Sequence, residues 1–169
     1  MKLIIAGPYP PDGGMERIHG GVEAVIVNMV KGLVRFKGLD IHVITANTCV
    51  SEERDFIADN INIHIVPAPR RFGNITLYSD TRKRIARKIK MLRPDLVHTH
   101  TFGYYTLAVF DSGHKKVIVS THGMPDGSRG RRRSIVEIIR DIAQGYMYKA
   151  CSDRAGDVIV NSPYAKKIL

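Results

Sequence analysis

Gly20-Gly21-Val22-Glu23 opens the pattern on which the fold reading turns. Behind it Val22, Val25, Ile26, Met29, Val30, Leu33 and Val34 recur at steps of three and four, one apolar face of a helix over residues 22–37 that Gly38 stops. Ahead of it a strand, Leu3-Ile4-Ile5-Ala6, ends at Gly7 and gives way to a loop rich in proline and glycine. Strand, glycine loop and helix start together suit an anion. The first backbone N–H groups of a helix lack partners, its dipole is positive there, and paired glycines let a ligand approach the backbone. Gly13-Gly14-Met15-Glu16 has the same form, but no continuing apolar face follows it. The second copy therefore marks the helix start. The first belongs to a loop, residues 10–19, expected to be mobile.

Outward from this unit the chain alternates strands and helices. Asp40 to Ala46 reads as a second strand, parallel to the first through a right-handed crossover. A loop with a short helix at Glu52 to Ile57 comes next, then an edge strand, Ile61 to Val66 before Pro67. Ile85, Ile89 and Leu92 mark a helix over 78–92, and Leu96 to His100 a strand. A short helix over 103–110 and a strand over 116–121 follow, the latter reaching His122-Gly123. Ser134 and Glu137 form a capping box. The helix behind it carries Ile135, Ile138, Ile139, Ile142, Ala143, Tyr146, Met147 and Ala150 on one face. A last strand, Asp157 to Asn161, leads to Ser162-Pro163, which reads as the start of another helix and as part of something longer. The order predicts one α/β domain over 1–169, a doubly wound, mostly parallel sheet with helices on both faces. Ligands of such sheets sit beyond the carboxyl ends of the strands. Those ends carry Gly7, Thr45 to Asn47, His98, His100 and Thr101, His122-Gly123, and Asn161-Ser162.

Composition narrows the class. The 169 residues are 44% hydrophobic and 25% charged, ordinary for a soluble globular chain. No apolar run reaches the roughly 18–20 residues that span a bilayer, and the N-terminus lacks a signal-peptide core, so a cytoplasmic protein is expected. Cys49 and Cys151 are isolated and read as buried or half-buried free thiols. Gln144 is the sole glutamine, a hint of a thermophile. The net charge of +10 is concentrated in Arg82, Lys83, Arg84, Arg87, Lys88, Lys90 and Arg93 on the outer face of the 78–92 helix, with Arg70-Arg71 before it, and in Arg129 and Arg131-Arg132-Arg133. Such clusters suit an anionic partner: a phosphorylated substrate, an anionic membrane surface or nucleic acid. A solvated, charge-rich surface is the alternative. No base-stacking aromatics interleave with the arginines, which argues against nucleic acid.

His98 and His100, two apart on a strand, point to the same side. Neutral rings there could hydrogen-bond a polar ligand, and no third metal ligand follows from spacing. His122 takes a ligand role from its place at a strand end. His42 and His64 lie inside strands and read as surface or structural. Glu16, Glu23 and Asp126 are isolated acids. Neither the G-x-G-x-x-G fingerprint, the P-loop, Ser-His-Asp order nor H-E-x-x-H is present.

Taken together, Ile4-Ile5-Ala6 with Pro10-Pro11, Gly20-Gly21-Val22-Glu23, Ile41-His42-Val43-Ile44-Thr45, Pro94-Asp95-Leu96-Val97-His98-Thr99-His100, Val119-Ser120-Thr121-His122-Gly123 and Asp157-Val158-Ile159-Val160-Asn161-Ser162 resemble the N-terminal domain of GT-B glycosyltransferases of the retaining family 4 type. The resemblance implies two Rossmann-like domains facing a cleft. The N-terminal one holds the acceptor (a sugar, a lipid or another small molecule), and a C-terminal one, absent from this chain, holds most of the nucleotide-sugar donor. It implies that Gly20 and Gly21 approach the donor diphosphate, that His122 reaches the transferred sugar, and that Glu23, His98, His100 and Thr101 lie on the acceptor side. No cofactor or metal is implied, in keeping with the absence of a D-x-D motif. Arg82, Arg84, Arg87, Lys88, Arg131 and Arg132 would face an anionic lipid or phosphorylated acceptor. Alone, the chain is expected to be inactive.

Overall fold

In the computed structural model the description covers residues 1–14, 18–122 and 134–161. One seven-stranded sheet runs in the order β3-β4-β2-β1-β5-β6-β7. Its strands are β1 (Lys2–Ala6), β2 (Asp40–Asn47), β3 (Arg54–Ala58), β4 (Ile61–Pro67), β5 (Leu96–His100), β6 (Val117–Thr121) and β7 (Asp157–Val160). The helices are α1 (Gly21–Leu33), α2 (Ser79–Leu92), α3 (Tyr104–Asp111) and α4 (Ile135–Ser152). All pairings are parallel except β3 with β4. The predicted doubly wound, mostly parallel sheet is therefore the one observed.

Both sheet faces are covered, as near-continuous apolar strands require. Leu3, Ile5, Ile41, Val43, Ile61, Ile63 and Ile65 meet Ile26, Val27 and Val30 of α1. On the other face Ile4, Ala6, Ile44, Val66 and Val97 meet Ile85 and Ile89 of α2 and Tyr105, Ala108 and Val109 of α3. The chain leaves β1 toward β2 on one side and returns to β5 on the other. The switch in strand order thus falls between β1 and β5, and that is where their carboxyl ends open a crevice.

Several expectations are corrected. Residues 54–58 are a strand, not a helix, and β3 takes the sheet edge that β4 was expected to hold. Asp59 and Asn60, at φ 49° and 62°, form the turn between them. Two left-handed residues joining antiparallel strands make a tight hairpin. Helix α1 ends at Leu33, earlier than the apolar steps suggested. In the loop expected to be mobile, Pro10 and Gly13 are buried, and Gly13 N–H donates to Pro10 O at 3.1 Å. At φ +73° Gly13 leaves room for only hydrogen, since a Cβ would stand 2.9 Å from Ala58 Cβ. Cys151 is buried as expected, whereas Cys49 is exposed. The capping box of Ser134 and Glu137 is present. Its helix, however, buries only Ala143, Met147 and Cys151, while Ile135, Ile138, Ile139, Ile142 and Tyr146 are exposed. Periodicity identified an apolar face, but the described residues cover only its C-terminal half.

His42 and His64 are structural and buried rather than on the surface. Their rings meet edge to edge, with His42 Nδ1 2.9 Å from His64 Nε2, and His64 Nδ1 lies 2.9 Å from Asp55 Oδ1. Lys88 completes the chain, its Nζ 2.9 Å from Asp55 Oδ2.

Candidate functional site at the carboxyl ends of β1, β5 and β6

The site begins with where α1 starts. Because α1 returns antiparallel to β1, its N-terminus lies at the carboxyl end of the sheet. Gly20 is the N-cap, in an extended conformation, and no side chain caps the turn. The first intrahelical bond runs from Ala24 N–H to Gly20 O at 2.9 Å, so the N–H groups of residues 21–23 face out of the helix. Neither Gly20 nor Gly21 occupies the left-handed region, and a Cβ on either would meet nothing within 4 Å. The fold itself therefore has no need of glycine at either position. Glu23 reaches back to accept from His19 N–H at 2.6 Å, tying the residue before the N-cap to the first turn.

The histidines come from register. Ile5 pairs with His98, and His100 with Ser120. Cross-strand partners in a parallel pair share a face, so His98, His100 and Ser120 lie on the α1 side of the sheet. Gly7 confirms this. A Cβ there would approach both Ile26 of α1 (2.5 Å) and His100 Cβ (3.6 Å). The helix start and the histidines thus occupy the same face and the same end of the sheet. His98 Nε2 lies 2.8 Å from Ser120 Oγ, and the His98 and His100 ring centres are 4.4 Å apart. His100 Nδ1 lies 2.8 Å from His122 Nε2.

Burial sets the charge state of this cluster. It pushes the His100 pKa down to about 3, with His98 and His122 adding to the shift. Burial also lowers His98 and His122. The cluster is neutral near pH 7. His98 Nε2 is paired with Ser120 and His100 Nδ1 with His122 Nε2, whereas His100 Nε2 is buried without a partner. Among the described residues no group of three or more His, Cys, Asp or Glu converges on a metal position.

Thr101 follows β5 at φ 72°. Its N–H donates to Ser120 O (2.7 Å) and its carbonyl accepts from Thr106 Oγ1 (2.6 Å). A β-branched residue held there is strained, and such strain gathers at functional sites. Tyr9 is a residue that the sequence reading passed over. It is buried beside this end, with its N–H donating to Thr45 Oγ1 at 3.1 Å, and its place after Gly7 was the available signal.

Four basic residues of α2 are engaged within the chain. Arg82 pairs with Asp111, Arg84 with Asp80 and Glu53, and Arg87 with Glu53. Lys88 is not on the outer face: it is 8% exposed and paired with Asp55 and Glu53. Glu16, Asp126, Arg129 and Arg131 to Arg133 lie outside the described residues. No helix among the described residues is long and apolar enough to cross a membrane.

Comparison with known proteins gives the family and the fold. The family model described as Glycosyltransferase Family 4 matches residues 19–169. Among solved structures, sucrose-phosphate synthase from Thermosynechococcus elongatus superposes with a TM-score of 0.71 at 15% sequence identity. The match covers 100% of this chain and 44% of that one, so the chain spans less than half the length of that enzyme. No curated protein matches the sequence significantly.

Proposed function

The chain belongs to glycosyltransferase family 4, and we propose that it forms the acceptor-side half of an enzyme that moves a sugar from a nucleotide-sugar donor to an acceptor with retention of anomeric configuration. The observation that carries this is the pair Gly20 and Gly21. Both face open space at a helix start, on the face and end of the sheet where His98, His100 and His122 gather.

The chemistry fits the geometry. Breaking the bond between sugar and diphosphate places negative charge on the leaving phosphate. N–H groups 21–23, already oriented and aided by the helix dipole, stabilise that charge without reorganising. Side chains at 20 and 21 would keep the phosphate from the backbone, and glycine removes them. On this reading His122, half-buried and neutral, hydrogen-bonds the transferred sugar. His98, His100 and strained Thr101 frame the acceptor side. The nucleotide is held mainly by a second Rossmann-like domain, so the chain alone carries half of a diphosphate site and does not catalyse transfer.

The test is to incubate the full protein with a panel of sugar nucleotides and follow release of the nucleotide, then to read the anomeric configuration of the product by NMR. Turnover with the donor's configuration preserved supports the proposal. No turnover of any donor, or an inverted product, overturns it.

A further inference from the structure

His100 is 1% exposed, and its Nε2 is buried with no hydrogen-bond partner. Its other nitrogen, Nδ1, lies 2.8 Å from His122 Nε2. The two ring planes differ by 3° while their centres stand 5.1 Å apart. The rings therefore meet edge to edge, the geometry of a hydrogen bond in the common plane.

One proton lies between these nitrogens, and it links the tautomers of the two rings. If His122 donates from Nε2, the neutral His100 must carry its own proton on Nε2, and a buried N–H is left with no acceptor. If His100 donates from Nδ1, only an unused lone pair is buried at Nε2. A buried N–H without an acceptor is the rarer orphan in folded proteins. We infer that His100 is a positioning residue: it donates from Nδ1 to His122 Nε2 and so holds His122 as the neutral imidazole protonated at Nδ1. His122 then offers a fixed N–H donor beyond the carboxyl end of β6.

An unpartnered histidine would exchange between tautomers and would charge near pH 6–7. His122 is held in one tautomer, and burial keeps it neutral. The site for which His122 is prepared is an oxygen acceptor, such as a hydroxyl of a sugar or an oxygen of a phosphate. That consequence rests on the transferase reading, whereas the tautomer itself does not.

The experiment is long-range nitrogen–proton NMR of the imidazole rings in full protein carrying nitrogen-labelled histidine, with His122 assigned by loss of its signals in His122→Gln. The expected result is a protonated Nδ1 and a bare Nε2 on His122 at neutral pH. His100→Asn, whose amide N–H can replace the imidazole N–H, keeps that signature. His100→Phe, which fills the space without a donor, loses it and leaves His122 in mixed tautomers. Protonation of His122 at Nε2 in the unsubstituted protein overturns the inference, and so does an unchanged His122 signature in His100→Phe. The first of these outcomes needs no variant to fold. No sugar nucleotide is used, so a failure here leaves the transfer reading standing, and a protein that transfers nothing still reports the tautomer.

Discussion

Ile26 Cδ1 lies 2.5 Å from the point a Cβ on Gly7 would occupy. Helix α1 is thus seated directly on the end of β1. Ile26 is fully buried and cannot move aside freely. Gly7→Ala is expected to cost about 1–3 kcal/mol, the range for overpacking a filled core. Chemical denaturation measures it, and a loss below about 0.5 kcal/mol would show that α1 shifts without resistance.

The neutral histidines make stability depend on pH. The His100 pKa falls from its ordinary value to about 3 on folding, so between about pH 6.5 and 3 the unfolded chain binds a proton that the folded chain refuses. Stability is unaffected above that window and declines as pH falls through it, by about 1.4 kcal/mol per pH unit for each such proton. His64, His98 and His122 are shifted in the same direction and steepen the decline. Denaturation midpoints between pH 7 and 5 should fall, and His100→Phe should reduce the slope by one proton. An identical slope in the variant would contradict the burial of a neutral His100.

Thr101 provides a test of strain. Its φ of 72° suits glycine and disfavours a β-branched residue. Thr101→Gly is expected to raise the unfolding free energy by up to about 1 kcal/mol, relief of the left-handed penalty exceeding the added chain entropy. If Thr101 frames the acceptor side, as proposed, turnover should fall with the loss of a positioned group. A destabilised protein would remove the argument for strain.

Much of this was legible in the sequence because it is local. The steps of three and four after Val22, the spacing of Ser134 and Glu137, and the placing of His98 and His100 two apart are set by helix and strand periods alone. What was not legible depends on pairing between distant segments. Asp59-Asn60 is a turn signal, but polar Ser51 to Asp55 hide the strand before it, and β3 looks like a helix from its sequence alone. The contact of His42 with His64 depends on the register of β2 against β4, and that of His100 with His122 on β6 following β5. Lys88 falls on a face that looks solvated until Asp55 of β3 is known to lie beneath it. Along α4, periodicity gave an apolar face but not its cover: Met147 is 4% exposed and Ile142 is 68% exposed.

In the proposed function Gly20 and Gly21 are glycine for a ligand and not for the fold. The most direct measurement is the Gly21→Ala variant of the full protein, followed by denaturation and by sugar-nucleotide turnover together. A Cβ at 21 meets nothing in the chain, and alanine favours a helix over glycine by up to about 1 kcal/mol. Stability equal to or above that of the unsubstituted protein is expected, with turnover reduced by about 100-fold or more, the scale for losing a charge-stabilising donor. Unchanged turnover, or a loss of stability, would contradict it.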